Sequence, residues 1–130
     1  MVTVAGNLDT REWVKYHRYS PLNGSLNPAG QSALASNIRQ LHLLGKRDQV
    51  IPPGLVKDWI AKQSRAIVWQ FETYTHTCCW RQQWRKVLDW VETGVSPVFP
   101  HSTKSAANSV QRADILASVP LVDRSILFAD

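Results

Sequence analysis

The chain has 130 residues and a formal net charge of +5, from 15 Lys and Arg against 10 Asp and Glu. Its length favours one domain with enough chain to bury a core. A hydrophobic content of 44% and a charged content of 19% indicate an ordered chain rather than a disordered one. No apolar run is long enough for a membrane-spanning helix, and we expect no leader peptide.

The first predicted elements are an extended segment and a short helix. Residues 1–8 (MVTVAGNL) are apolar and read as an extended arm. Asp9 or Thr10 is expected to cap a helix over TREWVKYHRY, with Glu12 in the first turn, where the helix dipole favours a carboxylate. A loop rich in Pro, Asn, Gly and Ser follows this helix.

A second helix is predicted between Asn27 and Gly45. Asn27 is a favourable N-cap, Pro28 suits the first helical position, and Gly45 is expected to end the helix. Several small residues in this segment would allow close approach of another backbone. Lys46 and Arg47 then lie on a turn.

The stretch from Ser64 to Gly94 is the longest predicted element. It contains no proline, and Trp69, Trp80 and Val91 recur every 11 residues, which is close to three helical turns. We expect one long helix, preceded by a shorter one over LVKDWIAKQ. It is either continuous or broken near the TYTHT run, where threonines weaken helix propensity.

The remaining chain predicts more helix. After an extended VSPVFPH segment, we expect a helix over residues 103–119 and a last turn or helix over residues 121–130. No strand-like alternation lasts beyond four residues. The predicted fold class is therefore all-α, with an irregular, partly extended N-terminal region.

Enzyme signatures are thin. No phosphate loop and no HExxH or GxSxG motif is present. The histidines are scattered and are expected at the surface or at helix caps; they are His17, His42, His76 and His101. Adjacent Cys78 and Cys79 would diverge on a helix, so we expect small, unpaired core residues. We predict no catalytic residue, no metal and no cofactor.

A basic face on the first helix is the main functional signal. Arg11, Lys15 and Arg18 fall at helical spacing and are interleaved with aromatic residues. Such a face could neutralise successive phosphates of a nucleic acid without reading its sequence. The alternative is an amphipathic helix whose charges are solvated and whose aromatic side chains pack on the core.

The layout resembles the coat proteins of filamentous and rod-shaped double-stranded DNA viruses of hyperthermophilic archaea. The matching pieces are the arm REWVKYHRYSPLNGSLNPAGQSALASNIRQL, the chain from about Pro53 onwards, and SRAI at Ser64–Ile67, which enters the aromatic-rich stretch. In that family an N-terminal helix–turn–helix arm precedes a compact bundle of about four helices, so the resemblance implies an arm over residues 1–50 and a bundle over residues 51–130. The arms of paired subunits wrap the duplex and hold it in A form, and the helical bundles pack into a filament.

This resemblance implies a set of site residues. Those expected to contact the phosphate backbone of double-stranded DNA are Arg11, Lys15, Arg18, Asn37, Arg39, Gln40, Lys46 and Arg47. Those expected at subunit interfaces are Trp13, Trp69, Trp80, Trp84 and Trp90.

Two hypotheses of different class follow. The first is a virion coat protein that binds DNA non-specifically and polymerises, as a dimer of itself or with a paralogous subunit, into a helical nucleocapsid assembled in the host cytoplasm. The second is a small soluble helical adaptor or inhibitor that binds another protein through its tryptophans and has no affinity for nucleic acid.

Overall fold

The computed structural model describes residues 1–99, and it has a mixed α/β fold. Three parallel strands form one sheet in the order β1-β2-β3, with short helices between and after them. The elements are β1 (Val2–Val4), α1 (Thr10–His17), β2 (Gln40–Gly45), α2 (Lys57–Ala61), β3 (Ala66–Phe71) and α3 (Trp84–Thr93). The prediction of an all-α fold, with a helix–turn–helix arm and a helical bundle, is therefore wrong.

The middle strand β2 explains most of this error. All six of its residues are buried, and Leu41 lies between Val2 of β1 and Ile67 of β3 in the register. A parallel strand that is covered on both faces reads as a continuous apolar run and shows no alternation. In the segment QLHLLG the polar residues Gln40 and His42 interrupt such a run, and the sequence pattern predicts the segment as the end of the second helix.

The predicted long helix over residues 64–94 divides into a strand, a turn and a helix. Its first part is β3, whose sequence AIVWQF is rich in β-branched and aromatic residues. Only the last part is helical, as α3, which is preceded by a 3₁₀ turn over Trp80–Gln83. The predicted stop at Gly94 is confirmed, because Gly94 adopts the left-handed conformation (φ 76°) and its N–H binds Trp90 O.

Local capping signals were more reliable than the element types. Asp9 caps α1 and its side chain accepts hydrogen bonds from the N–H groups of Arg11 and Glu12, as predicted. Asn27 also caps as predicted, but it begins only a single 3₁₀ turn over Pro28–Gly30. The predicted helix LVKDWIAKQ is present as α2.

Residues 1–96 form one compact unit, and its sheet takes strands from both sides of residue 50. A hydrophobic core cluster of buried residues consists of Leu8, Leu44, Ile51, Val56, Trp59 and Ile60. None of the described helices has the length and apolarity needed to span a bilayer. The helices predicted over residues 103–119 and 121–130 lie outside the described residues.

Candidate acid–base site

Two polar residues follow neighbouring strands at the same edge of the sheet. Asp48 comes shortly after β2, and His76 comes shortly after β3. Parallel strands end at the same edge, so the loops after them meet there. Two hydrogen bonds join these loops: Lys46 N–H donates to Phe71 O at 2.9 Å, and Arg47 N–H donates to Tyr74 O at 3.0 Å.

Gly45 permits this close approach. A Cβ atom at position 45 would collide with the main-chain carbonyl of Tyr74. A neighbouring main chain cannot move away as a flexible side chain can. Glycine at the end of β2 is therefore required to bring the two loops, and so Asp48 and His76, together.

The Asp48 carboxylate is buried and fixed in place. Its residue is only 3% exposed. Oδ1 accepts hydrogen bonds from the N–H groups of Val50 and Ile51, each at 2.8 Å. Aspartate side chains commonly bond to the main chain two or three residues ahead in this way. The second oxygen, Oδ2, remains available for another partner.

That partner is His76. Its Nδ1 lies 3.0 Å from Asp48 Oδ2. Because a buried carboxylate only accepts, Nδ1 carries the proton and Nε2 has a free lone pair. The His76 side chain is 36% exposed, and within residues 1–99 its Nε2 has no hydrogen-bond partner. The arrangement leaves Nε2 on the far side of the ring from the carboxylate, on a side chain that is partly exposed.

The main chain of each loop is held by aromatic side chains. On the His76 side, Trp80 Nε1–H donates to His76 O at 2.8 Å. On the Asp48 side, Trp13 Nε1–H and His17 Nε2–H both donate to Val50 O, at 3.0 and 2.9 Å. Helix α1 is thus attached to the loop that holds the carboxylate. A pair whose two loops are held by hydrogen bonds is better suited to acid–base chemistry than a mobile surface pair.

The two cysteines lie in the turn just after His76. They are joined by a disulfide, although we had expected them to be unpaired. That expectation assumed a helix, whereas Cys79 here has a positive φ of 80°. In addition, Cys78 N–H donates to Thr75 Oγ1 at 3.2 Å. The disulfide and this hydrogen bond both restrict the segment that carries His76.

A second buried histidine belongs to the fold rather than to this site. His42 in β2 is fully buried and contacts Thr3 Oγ1 through Nδ1 (2.8 Å) and Gln40 Oε1 through Nε2 (3.3 Å). Burial, with a smaller contribution from the positive N-terminus, lowers the pKa of His42 from 6.5 to about 4. It is therefore neutral at pH 7 and completes a hydrogen-bonded network inside the unit.

The structure separates the residues predicted to bind DNA. Arg11 and Lys15 lie on α1, where Lys15 is 3.6 Å from Glu12, and Arg18 is the left-handed C-cap of that helix. Arg39 precedes β2, whereas Lys46 and Arg47 follow it, at the opposite edge of the sheet. Asn37 is exposed ahead of β2, and Gln40 is fully buried, its Nε2 donating to Gln63 Oε1 at 3.2 Å.

The tryptophans predicted at subunit interfaces also differ from one another. Trp69 and Trp90 are buried within the unit, at 4% and 2% exposure. Trp13 and Trp80 are partly buried and hold the two loops of the acid–base site. Trp84 alone among the five is more than half exposed, at 52%.

Comparisons with protein-family models, with curated proteins and with solved structures found no match to this chain. Within residues 1–99, no cluster of His, Cys, Asp and Glu side chains could hold a metal ion. The case for any function therefore rests on the geometry of the described residues.

Sequence reasoning missed Asp48 and His76, although a signal was present. Each follows an apolar segment of strand length, LHLLG before Asp48 and AIVWQF before His76. Two parallel strands, each followed by an ionisable residue, predict a site at their carboxyl ends. The sequence pattern predicts both segments as helices, and two separate helices would not bring Asp48 and His76 into contact.

Proposed function

We propose that Asp48 and His76 belong to a hydrolytic centre that acts on an ester or amide substrate, with His76 as the general base and then the general acid, and Asp48 as the carboxylate that orients it. The observation that carries the proposal is the hydrogen bond from His76 Nδ1 to the buried Asp48 Oδ2, with Nε2 left accessible. In acyl-transfer enzymes an aspartate in this position fixes the tautomer of the histidine and stabilises its protonated form.

The order of the residues supports this class. In α/β-hydrolases, the nucleophile comes first in the chain, then the acid, then the histidine. Asp48 and His76 have the order of the last two members, and each follows a parallel strand. No hydroxyl or thiol within residues 1–99 bonds to His76 Nε2. The proposal therefore needs a nucleophile from another polypeptide segment.

The sheet offers a place for such a segment. Strand β1 pairs with β2 on one side and, within the described residues, with no strand on the other. Parallel sheets are usually continued and covered rather than left open at an edge. A further parallel strand beside β1 would bring the loop after it to the same edge as Asp48 and His76.

The chemistry would then proceed in two proton transfers. His76 Nε2 takes the proton from the nucleophile as it attacks the carbonyl carbon, and the Asp48 carboxylate stabilises the resulting imidazolium. His76 then gives that proton to the leaving alcohol or amine as the bond to the carbonyl breaks. Water repeats the cycle to release the acid product.

A second candidate function, the binding of another polypeptide, is favoured by one side of α3. Trp84, Leu88 and Val91 follow one another at helical spacing, with exposures of 52%, 44% and 46%. Such an apolar stripe is typical of a surface that packs against protein. The coat-protein hypothesis stays a prediction, and the helix–turn–helix arm on which it depended is not present.

The test is hydrolysis of the activated ester p-nitrophenyl acetate by the whole chain. A free, oriented imidazole accelerates this reaction without a separate nucleophile, and we expect a rate on the order of tenfold above that of the His76→Gln variant. Asp48→Asn should lose most of this excess, because its amide favours the other tautomer of His76. Nitrogen-15 chemical shifts of His76 would report that change of tautomer.

His17→Gln is the matched control, because it removes a histidine whose Nε2–H is already bonded to Val50 O. Its rate should remain within about twofold of the parent chain, since Trp13 still holds the same carbonyl. Equal rates for the parent chain and His76→Gln would refute the proposal.

A further inference from the structure

A pocket of about 290 Å³ lies at the other end of the sheet from Asp48 and His76. It is formed where the chain enters β2 and β3 and where α3 ends. The residues that line it include Arg39, Ser64, Arg65, Ile67, Trp90 and Gly94. The proposed hydrolytic function does not use any of them.

The Arg39 guanidinium is held in one orientation at this pocket. Its Nη2 donates to Val91 O at 2.9 Å, and its central carbon lies 5.2 Å from the centroid of the Trp90 ring. The first contact caps the carboxyl end of α3, and the second is a cation–π interaction. A guanidinium held in this way loses little side-chain entropy when it binds a ligand.

Gly94 leaves the space that this guanidinium occupies. A Cβ atom at position 94 would collide with Arg39 Nη1. The left-handed backbone at Gly94 also favours glycine, so the same residue ends the helix and admits the arginine.

A second arginine lies beside the first. Gln40 of β2 pairs with Ala66 of β3. Arg39 comes directly before Gln40 and Arg65 directly before Ala66, so the two arginines are neighbours across the strands. The hydrogen bond from Gln40 N–H to Arg65 O, at 3.0 Å, fixes this juxtaposition. Adjacent strands lie about 4.8 Å apart, which places two positive side chains at one edge of the sheet.

These two charges have no counter-ion in the described unit. None of the salt bridges within residues 1–99 includes Arg39 or Arg65. Two neighbouring cations repel each other, and an anion between them would relieve that repulsion. Exposed Ser64 contributes a hydroxyl group to the pocket, and Ile67 and Trp90 form an apolar wall of it.

We propose that this pocket binds the oxyanion group, carboxylate or phosphate, of a small ligand. Arg39 and Arg65 would contact the oxygens, because guanidinium groups match the geometry of both anions. Ser64 would donate one further hydrogen bond, and the apolar wall would contact the rest of the ligand. This site would be independent of the acid–base pair at the opposite edge.

The experiment titrates the whole chain at low ionic strength with sodium phosphate and, separately, with sodium acetate. Chemical shifts of the Gln40 and Ala66 amides provide the readout, and the anion with the higher affinity identifies the ligand class. We expect saturable binding that Arg65→Gln and Arg39→Gln each weaken by about tenfold, the factor corresponding to one lost charged hydrogen bond.

Arg11→Gln is the matched control, because it removes the same charge from an exposed position on α1. It should change the affinity by less than about twofold, since Arg11 does not line the pocket. Arg65 is itself exposed, so its variant tests the site without disturbing the end of α3. Absence of saturable binding, or equal weakening by all three variants, would overturn the proposal.

Discussion

The two ends of the sheet are stabilised in different ways. At the carboxyl end, each of six hydrogen bonds has a main-chain partner. Two join the loops to each other, two run from main-chain N–H groups to the Asp48 carboxylate, and two run from aromatic side chains to Val50 O. Towards the amino end, side chains bond to one another. There Thr3, His42, Gln40 and Gln63 form a buried network that reaches from β1 to α2.

This difference has a functional meaning. At the carboxyl end, two of the hydrogen bonds between the loops join main-chain groups, which do not titrate. The network at the other end contains an imidazole that must remain neutral. The amino-end network is therefore sensitive to protonation of His42.

The largest effect is expected from adding one methyl group at the carboxyl end. In Gly45→Ala the new Cβ would collide with the Tyr74 carbonyl, so the loops that hold Asp48 and His76 must separate. We expect the free energy of unfolding to fall by about 3 kcal/mol, at the upper end for an overpacked site. Chemical denaturation measures the loss, and p-nitrophenyl acetate hydrolysis should fall with it.

Gly54→Ala is the control for this prediction, because a Cβ at position 54 meets no atom within 4 Å. Its free energy of unfolding should change by less than about 0.5 kcal/mol. If both variants lost the same stability, the close approach at Gly45 would not be what holds the carboxyl end together.

The amino-end network is tested by acid. Below pH 6.5 the unfolded chain takes up a proton on His42, whereas the folded chain does so only near pH 4. Stability should therefore fall as the pH drops from 6.5 to about 4, with no further loss from this group below that. Since each pKa unit is worth about 1.4 kcal/mol, the loss should approach about 3 kcal/mol.

Denaturation curves are measured at several pH values for the parent chain and for His42→Gln. The difference between them isolates the contribution of His42 to the pH dependence of stability from those of other titrating groups. The variant should be less stable at pH 7 and should show a shallower fall between pH 6.5 and 4. An unchanged pH dependence in the variant would mean that His42 does not make the amino end sensitive to acid.

A smaller effect is expected where α1 meets the Asp48 loop. Trp13→Phe removes one of the two donors to Val50 O and should cost about 1 kcal/mol. The change should be local, with faster amide hydrogen exchange at Val50 and Ile51 and little change at Leu41. Trp84→Phe, at an exposed position, should leave the exchange at all three sites unchanged.

How far the sequence predicts this molecule depends on the range of each interaction. Asp9 and Gly94 were recognised because a cap is decided by the few residues around it. The type of β2 and β3 was missed because those segments are strands only when they pair with each other. An 11-residue spacing of Trp69, Trp80 and Val91 imitated a helix although the three belong to a strand, a 3₁₀ turn and α3.

The site was harder to predict than the fold for the same reason. Asp48 and His76 are 28 residues apart, and no local motif connects them. Their meeting depends on the register of two strands and on the missing side chain at Gly45. Once the strands are recognised, the rule that parallel sheets place their sites at the carboxyl ends would have indicated both residues.

The parallel pairing of β2 also has a consequence for how the chain folds. Leu41 pairs with Val2 and with Ile67, so each ladder closes across a long stretch of chain. Loop closure costs entropy before any ladder hydrogen bond repays it, which makes such topologies slow to assemble. The helix α1 can form early from local contacts, whereas the apolar segment QLHLLG stays uncovered until both neighbours arrive. Aggregation during refolding should therefore begin at β2, and its rate should rise with protein concentration.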